Sequence, residues 1–230
     1  MTLDIDYASS LRQHFQAHAD AASAEKMQKY MLNQFPFFGI PSPLRKELVR
    51  AFIAEQGLPQ PCELDEVVKQ VWNLPERELH YAIMEIAARP AFLKDEGRPK
   101  LYRFMIKQFS WWDTVDFIAS NLVGAWLKRH PDYTVELVQE YLDSDSMWLQ
   151  RTALLFQLKY RQATNEALLF EAIQKLNHSK EFFIRKAIGW ALREYSKTNP
   201  QAVIDFVANT TLQPLSSREA MRIILKNKLS

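Results

Sequence analysis

Trp112 and Asp116 stand four positions apart. On a helix, side chains at i and i+4 share a face, so a carboxylate would lie beside an indole. That pair suits a site holding a cation; it equally suits a core tryptophan next to a solvated aspartate. Asp113 has a simpler explanation, because Ser110-Trp111-Trp112-Asp113 has the form of a capping box with Asp in place of Glu. Arg151 lies inside an apolar run formed by Met147, Trp148, Leu149, Ala153, Leu154, Leu155, Phe156 and Leu158. A buried guanidinium must meet a carboxylate, carbonyls or a phosphate, and an internal ion pair or a bound phosphate would satisfy it. Lys186, Trp190, Arg193 and Lys197 follow at i, i+4, i+7 and i+11. Three cations and an indole on one stripe suit nucleic acid, with phosphates on the cations and the indole against a base or sugar. A solvated basic face with a tryptophan at its edge is the plainer alternative.

The elements that would position these groups are helical. Opposite the basic stripe, Ile184, Ala187, Ile188, Ala191 and Tyr195 repeat with helical period. No alternating apolar and polar run bounded by turn signals predicts a strand. The pattern predicts helices at about 7–19, 24–34, 43–56, 63–73, 76–88, 98–109, 111–121, 123–130, 133–142, 147–160, 165–176, 181–196, 200–208 and 216–227. Ser42-Pro43 predicts an N-cap followed by proline at the first helical position, and Ser216-Ser217-Arg218-Glu219 a second capping box. Phe35-Pro36-Phe37-Phe38-Gly39-Ile40 reads as an apolar connection between helices. Helix pairs recur at roughly 35–40 residues from about residue 63, near the HEAT spacing, which predicts stacked pairs forming a solenoid with a concave face. No Ser/Gly linker divides the chain, so residues 1–230 are expected to form one domain.

Composition excludes several classes. With 47% hydrophobic and 24% charged residues the chain is too apolar for disorder. One cysteine, Cys62, excludes an internal disulfide and a cysteine-based zinc site. The five histidines show no HExxH or HxH pattern, and isolated ones such as His80 read as packing or surface residues. Only five glycines are present, and no phosphate-loop or dinucleotide motif occurs. The acidic start Met1-Thr2-Leu3-Asp4-Ile5-Asp6 lacks a leader pattern, and no apolar run approaches membrane-span length. A soluble cytoplasmic protein is expected. The net charge of +2 hides an asymmetry: residues 147–230 carry 13 Lys and Arg against 6 Asp and Glu, and residues 1–146 carry 16 against 21. An anionic partner on one side would account for that split.

Taken together, the segments resemble the AlkD-like family of bacterial DNA alkylation-repair glycosylases. The residues that carry the resemblance are Tyr30-Met31 with Phe37-Phe38-Gly39-Ile40, then Leu74-Pro75-Glu76-Arg77-Glu78, and Ser110 through Asp116. Trp148-Leu149-Gln150-Arg151, Phe156 through Tyr160, Lys180 through Ile184, Ile188-Gly189-Trp190 and Leu192-Arg193-Glu194-Tyr195 continue it, and Leu215 to Ala220 close it. The segment 56–66 matches less well. The resemblance implies an all-α, superhelical solenoid of antiparallel HEAT-like helix pairs whose concave basic face holds duplex DNA. It implies excision of cationic alkylpurines, chiefly 3-methyladenine and 7-methylguanine, without a cofactor; a monomer is the default expectation for a duplex-scanning repair enzyme of this size. On that resemblance the catalytic aspartate is Asp116, the two site tryptophans are Trp112 and Trp190, and the site arginine is Arg151. Arg193 and Lys197 match positions near the DNA backbone, and Tyr30 one at the DNA face; Lys186 joins them on the basic stripe.

A cationic base leaves as a neutral one, so no general acid is needed and one carboxylate suffices, unlike the carboxylate pair of ordinary glycosidases. Asp116 would stabilise the positive sugar and orient or deprotonate water. Trp112 and Trp190 would hold the charged nucleotide, and Arg151 would anchor a phosphate or fix Asp116. The resemblance also suggests capture of the lesion in an open aromatic cleft rather than deep base flipping. The rival reading is a non-catalytic helical-repeat module that binds DNA or protein.

Overall fold

The computed structural model describes the backbone of residues 6–228 and the side chains of 6–226. The reading of the first five residues as lacking a leader lies outside the described residues. The described residues contain helices and no strand, as the periodicity predicts. They include α1 Tyr7–Gln16, α2 Ala21–Tyr30, α3 Ser42–Gln56, α4 Leu64–Trp72, α5 Arg77–Ala87, α6 Arg98–Lys107, α7 Trp112–Phe117 and α8 Gly124–Leu127. They continue with α9 Thr134–Asp143, α10 Met147–Leu155, α11 Glu166–Leu176, α12 Phe182–Tyr195, α13 Pro200–Asn209 and α14 Pro214–Lys228. No described helix is long and apolar enough to cross a membrane.

Four boundaries differ from the sequence reading for identifiable reasons. α2 stops at Tyr30 because Leu32 and Asn33 take left-handed backbone, with φ of 55° and 56°, which reverses the chain. The two helices expected at 111–121 and 123–130 are joined: Ile118–Val123 forms a π-helical segment leading from α7 directly into α8. α10 ends at Leu155 rather than near 160, and the Gln157 side-chain amide then brackets the backbone of Asn165, accepting from its N–H at 2.7 Å and donating to its carbonyl at 3.2 Å. α14 begins at Pro214, two residues early. At α3 the cap position is Pro41, so Ser42 and Pro43 are the first two helical residues and the Ser42 hydroxyl caps nothing. Proline there still occupies a turn whose N–H groups lack helical partners.

The chain packs as two compact units, Met1–Asp95 and Glu96–Ser230. In the first, Leu64, Val67, Val68, Val71 and Trp72 bury one face of α4, the i, i+3, i+4 pattern at work. Phe35 to Ile40 forms the expected connection between helices, and Glu78 fixes it: the buried carboxylate accepts from the backbone N–H groups of Phe38, Gly39 and Ile40 at 3.0, 2.9 and 3.1 Å. Burial raises the Glu78 pKa, and those N–H groups oppose the rise. His80 is buried, with one ring nitrogen 3.0 Å from Arg77 and the other against the Trp72 and Leu74 carbonyls, so it is a packing residue.

The second unit is built on α7, the π segment, α10 and α12, with α14 packed along α12. Gly124 sets one close approach: a Cβ there would fall 2.1 Å from the Phe156 carbonyl oxygen. Tyr160 also donates to the Gly124 carbonyl at 2.7 Å. Gly124→Ala is therefore expected to lower stability by about 1–3 kcal/mol, since backbone rather than a mobile side-chain tip must move. A denaturant midpoint equal to wild type would contradict that packing.

Candidate active site

Ser110 does not cap the helix that carries Trp112 and Asp116. Phe109 sits at φ 50°, the chain turns, and the Ser110 hydroxyl donates to the Ile106 carbonyl at the end of α6. It satisfies one of the orphan carbonyls of the preceding helix. The N-cap is Trp111, with extended backbone and no side-chain cap bond. α7 then begins with Trp112, places Asp113 in its first turn and brings Asp116 round onto the face of Trp112.

Arg151 reaches across from α10 and binds Asp116 in a fork: Nε donates to Oδ1 at 2.8 Å and Nη2 to Oδ2 at 2.9 Å. Nη1 donates to the Phe183 carbonyl. The guanidinium therefore meets a carboxylate and a carbonyl, which resolves the choice the sequence left open. Only 5% of the Arg151 side chain and 13% of the Asp116 side chain are exposed. A ring cluster stands beside the pair: Trp111, Trp148 and Phe183 contact one another with centroids 5.0–6.0 Å apart, and the Arg151 guanidinium lies 5.8 Å from the Phe183 ring. Two opposed effects act on Asp116. Burial raises its pKa, Arg151 lowers it, Asp113 adds a smaller upward push, and the net direction is up. The fork fixes the carboxylate while each oxygen keeps acceptor capacity for a further partner.

α12 supplies the facing wall. Its buried residues Ile184, Ala187, Ile188 and Ala191 hold the core side, with Tyr195 half-buried. Lys186, Trp190 and Arg193 fall on the other side. With Trp112, Asp116, Arg151, Phe182, Phe183 and Glu219 they line one cleft of about 320 Å³. Asp116 and Trp190 also line a second cleft with Phe117, Ser120, Leu158, Lys159 and Glu194. Six of the eight residues singled out from sequence thus surround one cleft. Lys197 does not: its ammonium binds Glu194 at 2.6 Å, and it lines a separate cleft with Arg161 and Tyr195. Tyr30 belongs to the first unit, at the end of α2, with 73% of its surface exposed.

The capping box expected at Ser216–Glu219 is absent. Because α14 starts at Pro214, both residues are already inside the helix and serve α12 instead. Ser216 donates to the Arg185 carbonyl at 2.9 Å. The Glu219 carboxylate pairs with Lys186 at 3.0 Å and with Arg193 on its other oxygen. Its pKa is lowered, chiefly by the Lys186 hydrogen bond. Glu219, Phe182 and Phe183 are the cleft residues that sequence reasoning missed as site residues. Among the described residues no cluster of three or more His, Cys, Asp or Glu is arranged to hold a metal.

A sequence-family model described as DNA alkylation repair enzyme matches residues 11–224. Among solved structures, one titled as a predicted DNA alkylation repair enzyme from Enterococcus faecalis is similar, at 32% identity and a TM-score of 0.83. The match covers 90% of this chain and 97% of that one. No curated protein sequence matches.

Proposed function

We propose that this chain, which belongs to the DNA alkylation repair enzyme family, is a monofunctional DNA glycosylase that hydrolyses the N-glycosidic bond of cationic alkylpurines in duplex DNA. Its substrates are 3-methyladenine and 7-methylguanine. It acts without a cofactor, as a cytoplasmic monomer whose residues 1–230 form one domain of HEAT-like pairs. The observation that carries this reading is one carboxylate, Asp116, only 13% exposed at its side chain and held by the Arg151 fork in a cleft it shares with Trp112 and Trp190.

The chemistry follows from charge. Alkylation at N3 or N7 makes the base cationic, and as the glycosidic bond lengthens that charge moves to the sugar. The bond's electron pair leaves with the base, which departs neutral, and water adds to the anomeric carbon. Asp116 faces this developing cation from a site of low dielectric, where a fixed charge acts strongly. It also orients the attacking water and takes its proton. Trp112 and Trp190 offer ring faces to the cationic nucleotide. Lys186 and Arg193 meet backbone phosphates beside it, with Lys197 and Tyr30 as further DNA contacts. The lesion is read as held against this open cleft rather than flipped into a deep pocket, and release of a bulky N3 or N7 adduct alongside methylated bases is the test of that reading.

The direct test is release of methylated purines from methylated duplex DNA by the wild-type protein, read by product analysis. No release of either base would overturn the reading. The pH profile gives a second expectation. Asp116 must be ionised, and burial raises its pKa above the usual aspartate value. Single-turnover release should then fall as pH drops, starting above the range where an ordinary aspartate protonates. No alkaline limb should appear, because the leaving group needs no acid. A bell-shaped profile would show instead that a general acid takes part.

A further inference from the structure

Glu219 has no part in the chemistry just described, yet it lines the same cleft and is only 14% exposed at its side chain. Its two oxygens are divided between two cations of α12, while the largely exposed Arg222 on its own helix stands farther off, at 4.0 Å from Oε2. Oε1 binds the Lys186 ammonium at 3.0 Å, and Oε2 binds the Arg193 guanidinium. On α12 these cations stand about one turn before and one turn after Trp190, on its face. One carboxylate therefore ties down both charges that flank the cleft tryptophan.

The backbone is built to bring it there. Gly189 precedes Trp190 and lies under α14: a Cβ at position 189 would sit 2.5 Å from the Glu219 Cβ and 3.0 Å from the Ser216 carbonyl oxygen. The Ser216 hydroxyl fixes the same crossing through the Arg185 carbonyl. With any larger residue at 189, α14 would stand off and the carboxylate would lose its reach.

We infer that Glu219 is a positioning residue for lesion binding: it holds Lys186 and Arg193 in fixed places on either side of Trp190, so that phosphates meet two anchored cations. This rests on the glycosylase reading above. Left untethered, two long side chains would still attract DNA, but they would not set the register of the backbone over Asp116. Glu219 offsets one of their two positive charges, so the arrangement gives up some general affinity for DNA in exchange for placement.

Glu219→Gln tests this. It keeps size and removes the charge that binds the cations. Duplex affinity should be retained or rise a few-fold, because one negative charge near the phosphates is gone. Single-turnover release of methylated purine at saturating enzyme should fall by about tenfold or more, as expected when reacting groups lose their register. An unchanged or faster rate would overturn the inference; a faster one would make Glu219 an electrostatic brake. A folding defect is separated by a cycle. On a Lys186→Gln, Arg193→Gln background, Glu219→Gln should change the rate by less than about twofold, because the groups through which it acts are gone. A full loss persisting on that background would assign Glu219 a merely structural role. A wild type that releases no methylated base would instead remove the reading beneath.

Discussion

Asp116→Asn should abolish base release while leaving duplex binding intact. Asparagine fills the same space but carries no charge, so the forming sugar cation loses its counter-charge and the water loses its base. Removing one preorganised electrostatic group of this kind costs about 10²–10³-fold in rate. The loss should appear in the chemical step, measured with enzyme in excess over methylated DNA, and not in the dissociation constant. Binding should survive because the proposed phosphate contacts come from α12, but stability should fall, since Arg151 is left charged in a site where only 5% of its side chain is exposed. The substituted amide keeps one acceptor oxygen for the fork but turns an NH₂ group toward the other guanidinium donor, and it supplies no charge to balance Arg151. A variant that releases methylated purines at the wild-type rate would remove Asp116 from the mechanism. Wild type and variant that both bind without release would support a DNA-binding module in place of an enzyme.

Arg151→Ala should do broader damage. It strips both oxygens of Asp116 of their donors and leaves the Phe183 carbonyl without its guanidinium. The carboxylate then stands in an apolar wall with nothing to balance it. Breaking one side of a buried pair costs about 3–5 kcal/mol. Part of that is avoided if Asp116 takes up a proton, and its pKa should rise further for that reason. The variant is therefore expected to lose activity by loss of alignment, and to lose more by protonation as pH falls through that raised pKa. Its stability should improve as pH falls through the raised native pKa, since the folded protein then binds the proton that the unfolded chain binds less tightly. The double variant Arg151→Met, Asp116→Asn should recover much of the stability and none of the activity. Denaturant unfolding across pH, beside single-turnover release, separates the two effects. A single variant as stable as wild type at neutral pH would mean that the pair is not isolated from solvent.

How far the site could be read from sequence depended on distance along the chain. Trp112 and Asp116 are one helical turn apart, and helical period alone put them on one face. Lys186, Trp190 and Arg193 were legible in the same way. Arg151 announced that it needed a partner, because an arginine in an apolar helix cannot stay alone. It did not announce which, for Asp116 lies 35 residues away and only tertiary packing brings it near. Glu219 was hidden by a plausible local explanation. Ser216 to Glu219 has the spacing of a capping box, but the helix starts earlier, and the partners of Glu219 lie 33 and 26 residues back. The basic stripe held for Lys186, Trp190 and Arg193 but not for Lys197, which follows the end of α12, and it was incomplete as electrostatics, since all three cations have a carboxylate partner. Gly189, quoted only as part of a motif, is what lets α14 close on α12.

The π segment between α7 and α8 has a consequence for rotational phase. Side chains on an α-helix advance by about 100° per residue, so eight residues of unbroken helix would leave Asp116 and Gly124 about 80° apart. A π-turn absorbs roughly one residue, which takes back about 100° and brings the two to within a few tens of degrees. Both then point at α10: Asp116 at Arg151 near its middle, and Gly124 at the Phe156 carbonyl at its end. A single helix thus docks twice along the same neighbour, once through a carboxylate and once through bare backbone. The second contact holds the first in angle, much as a key's shoulder sets the depth and turn of its bit.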